Sequence, residues 1–513
     1  MANNKLESLV GQTAIYGLSS IVGRFLNYLL VPLHTYKISA ASGGYAIVTN
    51  MYALTGLFFV ILTFGMETTF FRFANKQGAN PDKVFSTAGI AVGFVSLVFV
   101  LLVSLLLSPI SKFLGYALNP EYVEIMAIII AMDSFQSILF ARLRYENKAV
   151  KFATLKTLFV FFSIALNLFV FLVLPGLRIG GILLALMSSP KMRAFILALI
   201  SWYNPDYQVG YIFIANLICT GLITLGFIPE IKKLRSGLDS SLLKQMLRYT
   251  WPILLLGLAG ILNQVADKIC YRFIVPGDEG DKQLGIYGAC VKIAMIMVMI
   301  TQAFRYAYEP FVFGSKRDTE DNENQAIVMK YFIIFTLLAF LAVVMYMPIL
   351  RHLIGPDYWD GLRVVPIVMM AEIFMGIYFN LSFWYKLTDQ TWWGAVFSGI
   401  GCAALLAINF IFVPKYGYIA CAWGGFVGYA ICMVLSYFVG QKKAPIPYDL
   451  KSAFVYFALA IALYFAQKHI HIDNNTWTLI VNTCLLLVFV AFICWKENDL
   501  VKVVLGKLKK ETS

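Results

Sequence analysis

Apolar stretches of 18 or more residues recur from one end of this chain to the other, each long enough to cross a hydrocarbon core about 30 Å thick as a helix of roughly 20 residues. Only 13% of the 513 residues are charged and 60% are hydrophobic. Soluble proteins carry roughly 25% charged residues. A chain with this balance cannot hide its apolar surface from water, so lipid is the solvent for most of it.

Apolar runs between polar breaks lie near 9–33, 44–66, 84–108, 121–140, 152–174, 208–230, 250–275, 285–308, 328–350, 363–384, 393–413, 418–440, 452–468 and 476–495, fourteen in all. The first is expected to be a membrane helix and not a cleaved leader, because it has no small-residue cleavage site and carries Arg24 in its middle. Basic residues collect in three loops, at Arg142 to Lys151, Lys232 to Arg248 and Lys442 to Lys451, and in the tail from Lys496 to Lys510. With fourteen spans these all fall on one side, whereas the opposite side holds acidic links such as Asp278-Glu279-Gly280-Asp281. The excess of Lys and Arg then places both termini in the cytoplasm. It also accounts for the formal charge of +13 without nucleic acid. Residues 176–207 interrupt the pattern, because Ser188-Ser189-Pro190, Lys191 and Arg193 break their apolar runs; they are expected to form an amphipathic or re-entrant piece on the periplasmic side.

The chain repeats. At an offset of 242 residues Gly44-Tyr45 aligns with Ile286-Tyr287, Glu67 with Glu309, Arg144 with Lys386 and Asn167 with Asn409. Helices one to five thereby fall on seven to eleven, and Gly210-Tyr211-Ile212 at the sixth span resembles Gly417-Tyr418-Ile419 at the twelfth. The expected architecture is all-α: a six-helix lobe over 1–235, a second over 236–445, and two further helices with a basic tail over 446–513. Lobes of six helices run in the same direction, and their shared cleft is where a transporter places its site.

A charge near the centre of a bilayer costs about 2.5–3.5 kcal/mol on insertion scales and normally faces a cavity or a counter-charge. Arg24, Lys268, Arg272, Lys292 and Arg305 are the basic candidates, and Asp133, Asp267 and Glu372 the acidic ones. Arg24 aligns with Ala266, beside Asp267 and Lys268, so helices one and seven present charge at equivalent places; Arg24 either faces a cleft or pairs with Asp267. Lys292 is a cavity candidate, whereas Arg272 and Arg305 lie nearer helix ends, where a long side chain can reach the interface. Asp133 and Glu372 are candidates for ion coupling or for structural pairing.

Catalytic and cofactor signatures are absent from the sequence. No glycine-rich phosphate loop and no H-E-x-x-H motif occur, and the four histidines, His34, His352, His469 and His471, form no metal set. The eight cysteines all lie in apolar segments. No cofactor or enzymatic activity is expected.

An Arg inside Ser20-Ile21-Val22-Gly23-Arg24-Phe25, the helix-two ending Phe64-Gly65-Met66-Glu67-Thr68-Thr69-Phe70-Phe71-Arg72, and the Gly-Tyr-Ile start of helix six together resemble the polysaccharide-biosynthesis flippases. These belong to the multidrug/oligosaccharidyl-lipid/polysaccharide exporter superfamily, and the resemblance covers nearly the whole chain. It implies movement of an undecaprenyl-diphosphate-linked oligosaccharide from the cytoplasmic to the periplasmic leaflet of the bacterial inner membrane by alternating access, for surface polysaccharide assembly. Membrane lipids and the polysaccharide polymerase machinery are the implied partners, and Arg24 matches the basic residue of helix one that contributes to the head-group site. The lipid II flippase and cation-coupled multidrug exporter branches share the fold. A multidrug chamber is expected to favour acidic residues, against the five basic and three acidic ones here.

Overall fold

In the computed structural model the described residues are 26, 28–179, 194, 197, 201–314, 319–388, 390–470 and 474–497; they form helices joined by short connections, and no strand is present among them. The long helices are α1 (Leu30–Lys37), α2 (Gly44–Thr63), α3 (Pro81–Leu105), α4 (Pro120–Tyr145), α5 (Ala149–Leu168), α6 (Gln208–Gly226), α7 (Ser240–Ile274), α8 (Asp278–Gly314), α9 (Thr319–Met345), α10 (Val365–Leu381), α11 (Trp392–Tyr416), α12 (Tyr418–Lys443), α13 (Leu450–His469) and α14 (Asn475–Lys496). Among the described residues thirteen stretches are long and apolar enough to cross a bilayer. Most of the first expected span, 9–33, and most of the 176–207 segment lie outside the described residues.

Helix starts follow local chemistry. Asn80 accepts from the N–H groups of Asp82 and Lys83 ahead of Pro81, and Asp239 accepts from Ser241 and Leu242, which satisfies amides that have no partner within the helix. α2 ends at Phe64 and Gly65, both in left-handed backbone (φ 33° and 72°), before a short helix over Met66–Ala74. The carbonyl of Phe64, freed by that break, accepts from the Thr250 hydroxyl on α7.

Two apolar clusters hold α2 to α6 together, and a larger one spans the helices from α7 to α14. α3 packs on α4, α6 on α4 and α5, α10 and α11 on α12, and α9 on α13 and α14. Helix α2 also packs against α7 and α8, joining the two groups. Between helices in lipid there is little hydrophobic drive, so close approach of backbones does the work. At the α11–α12 seam a Cβ on Gly401 would meet the Gly428 carbonyl oxygen at 2.8 Å, and one on Gly428 would meet that of Gly401 at 2.9 Å. Facing outwards, Leu105, Phe454 and Trp495 are at least three-quarters exposed, the wetting pattern of a protein surrounded by lipid.

The link from α6 to α7 is strapped to the first group of helices. Ser86 donates to the Leu234 carbonyl at 2.5 Å, and Lys83 pairs with Asp239 at 2.9 Å. Glu146, after α4, gathers Arg142 at 2.7 Å, Lys148 at 2.7 Å and Lys233 at 2.6 Å. Burial acts to raise the Glu146 carboxyl, but these three cations outweigh it and hold it at about 2, down from the ordinary 4.5. A depressed carboxyl contributes stability that is complete above its unfolded value and is lost as pH falls through the folded one. Acidification from pH 5 towards 2 is therefore expected to lower the melting temperature of the wild-type protein more steeply than that of Glu146→Gln, measured by thermal unfolding in detergent; parallel curves would mean that the cluster contributes nothing to acid sensitivity.

Candidate functional site

A cavity of about 300 Å³ lies where α2, α7, α8, α10, α11 and α12 converge. Its lining follows helical spacing, with residues three or four apart sharing a face. Tyr45, Thr49 and Tyr52 come from α2, Gln264 and Lys268 from α7, Gly288, Lys292, Met295 and Arg305 from α8, and Val368, Glu372 and Met375 from α10. A Cβ at Gly288 would meet the Thr49 hydroxyl oxygen at 2.0 Å, so glycine there is what lets α8 lie against α2.

Two of the charges in the wall neutralise each other. Lys268 Nζ lies 2.9 Å from Asp267 Oδ2 and 3.0 Å from Oδ1, and the Tyr287 hydroxyl donates to Oδ2 at 2.6 Å. Asp267 is therefore committed to its neighbour and to α8. Lys292 faces the ring of Tyr28, its Nζ 5.9 Å from the centroid, and has no carboxylate within ion-pair reach among the described residues. Tyr28 in turn places its hydroxyl 2.6 Å from Met295 Sδ. The Arg305 guanidinium lies 3.7 Å over the Phe379 ring. Glu372 lines the cavity without a hydrogen bond or ion pair to any described residue.

Of the eight charged positions singled out in the sequence, the cavity brings together Asp267, Lys268, Lys292, Arg305 and Glu372. Asp133 is elsewhere, in a pocket of about 380 Å³ bordered by Glu67, Gln136, Arg144 and Lys156, where Arg144 pairs with Glu67 and Gln136 donates to the Thr220 carbonyl at 3.0 Å. Arg272 is also elsewhere: it sits one turn beyond Lys268 and binds Asp281 at 2.7 and 2.8 Å. Arg24 lies outside the described residues. The uncharged polar lining, including Tyr45, Tyr287, Tyr429, Asn263 and Gln302, is not among the sequence candidates, which rest on charge alone. The repeat holds a signal for two of them, since Tyr45 and Tyr287 align at the 242-residue offset and both reach the cavity.

In chemical terms the cavity offers a neutralised lysine, two further cations, one carboxylate and a set of hydroxyl and amide groups. This suits a ligand with anionic and polyhydroxyl parts. The Asp267–Lys268 pair is buried, its side chains 6% and 17% exposed. Removing one partner of such a pair costs about 3–5 kcal/mol, because the other charge is left uncompensated. Asp267→Asn is thus expected to destabilise the protein by about 3 kcal/mol, and the double variant Asp267→Asn/Lys268→Gln to recover most of the loss. A thermal-unfolding double-mutant cycle checks this, and an additive cycle would show that the pair is not coupled.

Residues 9–307, more than half of the chain, match the sequence model of a family described as polysaccharide biosynthesis protein. No curated protein matches the chain in sequence. Among solved structures, the lipid II flippase MurJ in an inward closed conformation is similar at 15% identity and a TM-score of 0.69, over 95% of this chain and 99% of MurJ. The MATE multidrug transporter DinF-BH, solved as a ligand complex, is similar at 15% identity and a TM-score of 0.56, over 87% and 96%. A second MATE structure, also a complex, is similar at 13% identity and 0.56, over 84% and 95%. The helices are arranged as in these transporters.

Proposed function

The chain belongs to the polysaccharide biosynthesis protein family, and from that membership and the cavity we propose that it is a flippase for an oligosaccharide carried on undecaprenyl diphosphate. The observation that carries this reading is Lys292, a cation facing the cavity with no carboxylate partner among the described residues. Each charge retained at membrane depth costs about 2.5–3.5 kcal/mol, which a purely structural lysine would recover through a counter-ion. With Lys268 balanced by Asp267, Lys292 is the cation of the lining that no described carboxylate balances. A diphosphate is the complementary anion, and the tyrosine, amide and threonine lining supplies hydrogen bonds for sugars.

In this reading Arg24 adds a further cation to the head-group site, and the protein works without catalysis in the bacterial inner membrane, with both termini cytoplasmic. The lobes, 1–235 and 236–445, rock about the cavity, exposing it first to the cytoplasm and then to the periplasm. The prenyl chain stays in lipid, so only the polar head has to be accommodated. Membrane lipids and the polysaccharide polymerase machinery are its partners. MurJ carries the name of a lipid II flippase, and lipid II shares the same diphosphate chemistry, so the sugar part decides between the two substrates.

In proteoliposomes holding matched amounts of folded protein, the wild type is expected to translocate a fluorescent undecaprenyl-diphosphate oligosaccharide faster than lipid II. Lys292→Ala and Arg24→Ala are each expected to slow it at least tenfold, a loss of about 1.4 kcal/mol or more. Preference for lipid II would reassign the substrate, and export of a cationic dye with no lipid translocation would replace the flippase reading with a multidrug one.

A further inference from the structure

One face of the protein carries the α1–α2, α3–α4 and α7–α8 connections, and a single side chain ties the last two together. Arg272, in the last turn of α7, binds both carboxylate oxygens of Asp281 on α8. The same guanidinium donates to the Leu114 carbonyl at 3.1 Å and reaches that of Gly115 at 3.5 Å, both in the α3–α4 connection. It also lies 4.4 Å over the Tyr116 ring. The connections come this close through glycines in left-handed backbone. A Cβ on Gly115 (φ 79°) would stand 3.4 Å from Arg272 Nη2, and one on Gly43 (φ 66°) 3.0 Å from Asp281 Cβ.

A hydrogen-bonded path leads inward from this point. Tyr116 donates to Asn50 Oδ1 at 2.8 Å, and Asn50 Nδ2 donates to the Lys268 carbonyl at 2.9 Å. Asn50 and Tyr116 are each only 3% exposed. Lys268 and Arg272 are four residues apart on α7, one on the cavity and one in the closure, about 6 Å along the helix. The path ties α2 and the α3–α4 connection to α7, so the halves cannot part on this face while it holds.

We propose that Arg272 is the latch of this face, and that Asn50 connects it to the cavity, so that an anionic ligand drawing on Lys268 loosens the latch. Arg272 is then a positioning residue of the transport cycle and makes no contact with the substrate. The connection to the ligand rests on the flippase reading above; the latch itself does not. A guanidinium fits this place because its fork holds a carboxylate and main-chain oxygens at once, which an ammonium cannot do in one geometry.

The test is the distance between nitroxide labels at Leu118→Cys and Asp278→Cys, both exposed, on the full chain in nanodiscs, with the exposed Cys484 and Cys494 changed to Ser. The parent is expected to show one short distance. Arg272→Gln is expected to raise the ratio of long to short at least tenfold, and Tyr116→Leu to do the same should Arg272→Gln not fold. Parent-like distances in both folded variants overturn the latch. Adding undecaprenyl diphosphate is expected to lengthen the distance in the parent and not in Asn50→Ala, while its Kd changes less than threefold; equal lengthening in both overturns the connection. If the probe binds neither protein while Arg272→Gln still opens the face, the latch stands and the flippase reading falls.

Discussion

Hydrocarbon offers no hydrogen bonds, and this constraint governs every feature described above. Backbone amides are satisfied inside helices, helix starts are capped by Asn80, Asp239, Asp449 and Asn474, and carbonyls freed by a break find a side chain, as that of Phe64 finds Thr250. Charge is held to the same rule. Asp267 is used up by Lys268 and Tyr287, and Arg272 is spread over a carboxylate and two carbonyls. Against that strictness, Lys292 without a carboxylate partner and Glu372 without a donor among the described residues, both lining one cavity, are the departures.

The helices and their order were legible because their signal is long and repeated: twenty apolar residues outweigh any local ambiguity. The repeat at 242 residues was legible for the same reason, and it pairs Tyr45 with Tyr287 without reference to where either side chain lies. The side on which a charge falls was harder. Lys268 and Arg272 lie on one helix one turn apart and are both cationic, yet one faces the cavity and the other the closure; that difference is set by where α2, α8 and the α3–α4 connection pack. Asp133 shows the same limit, since an acid amid apolar residues reads alike whether it faces the central cavity or the pocket beside Lys156. The tyrosine and amide lining escaped because such residues are common throughout the chain, and only convergence distinguishes them.

The two groups of helices are joined unequally. On one side the α6–α7 link is strapped down by Glu146, Lys233, Asp239 and Ser86, all within the first group's reach. On the other the joint runs through Arg272 and through Tyr358, whose hydroxyl donates to the Ile38 carbonyl at 2.7 Å, with Thr35 accepting from the Gly355 N–H at 2.9 Å. The first joint keeps a covalent connection in register; the second is made wholly of contacts between segments distant in sequence, which can be broken and remade without strain on the chain.

Three of the acceptors on that second side are main-chain oxygens, the carbonyls of Leu114, Gly115 and Ile38, while Asp281 and Thr35 accept through their side chains. A carbonyl is present whatever residue the codon specifies, so the connections can drift through most substitutions and still be grasped by the same arginine or tyrosine. The glycines that bring the backbone close, the donors themselves and the side-chain acceptors Asp281 and Thr35 are bound to their identities. A lineage could therefore rewrite most of this surface while the joint beneath it stayed the same.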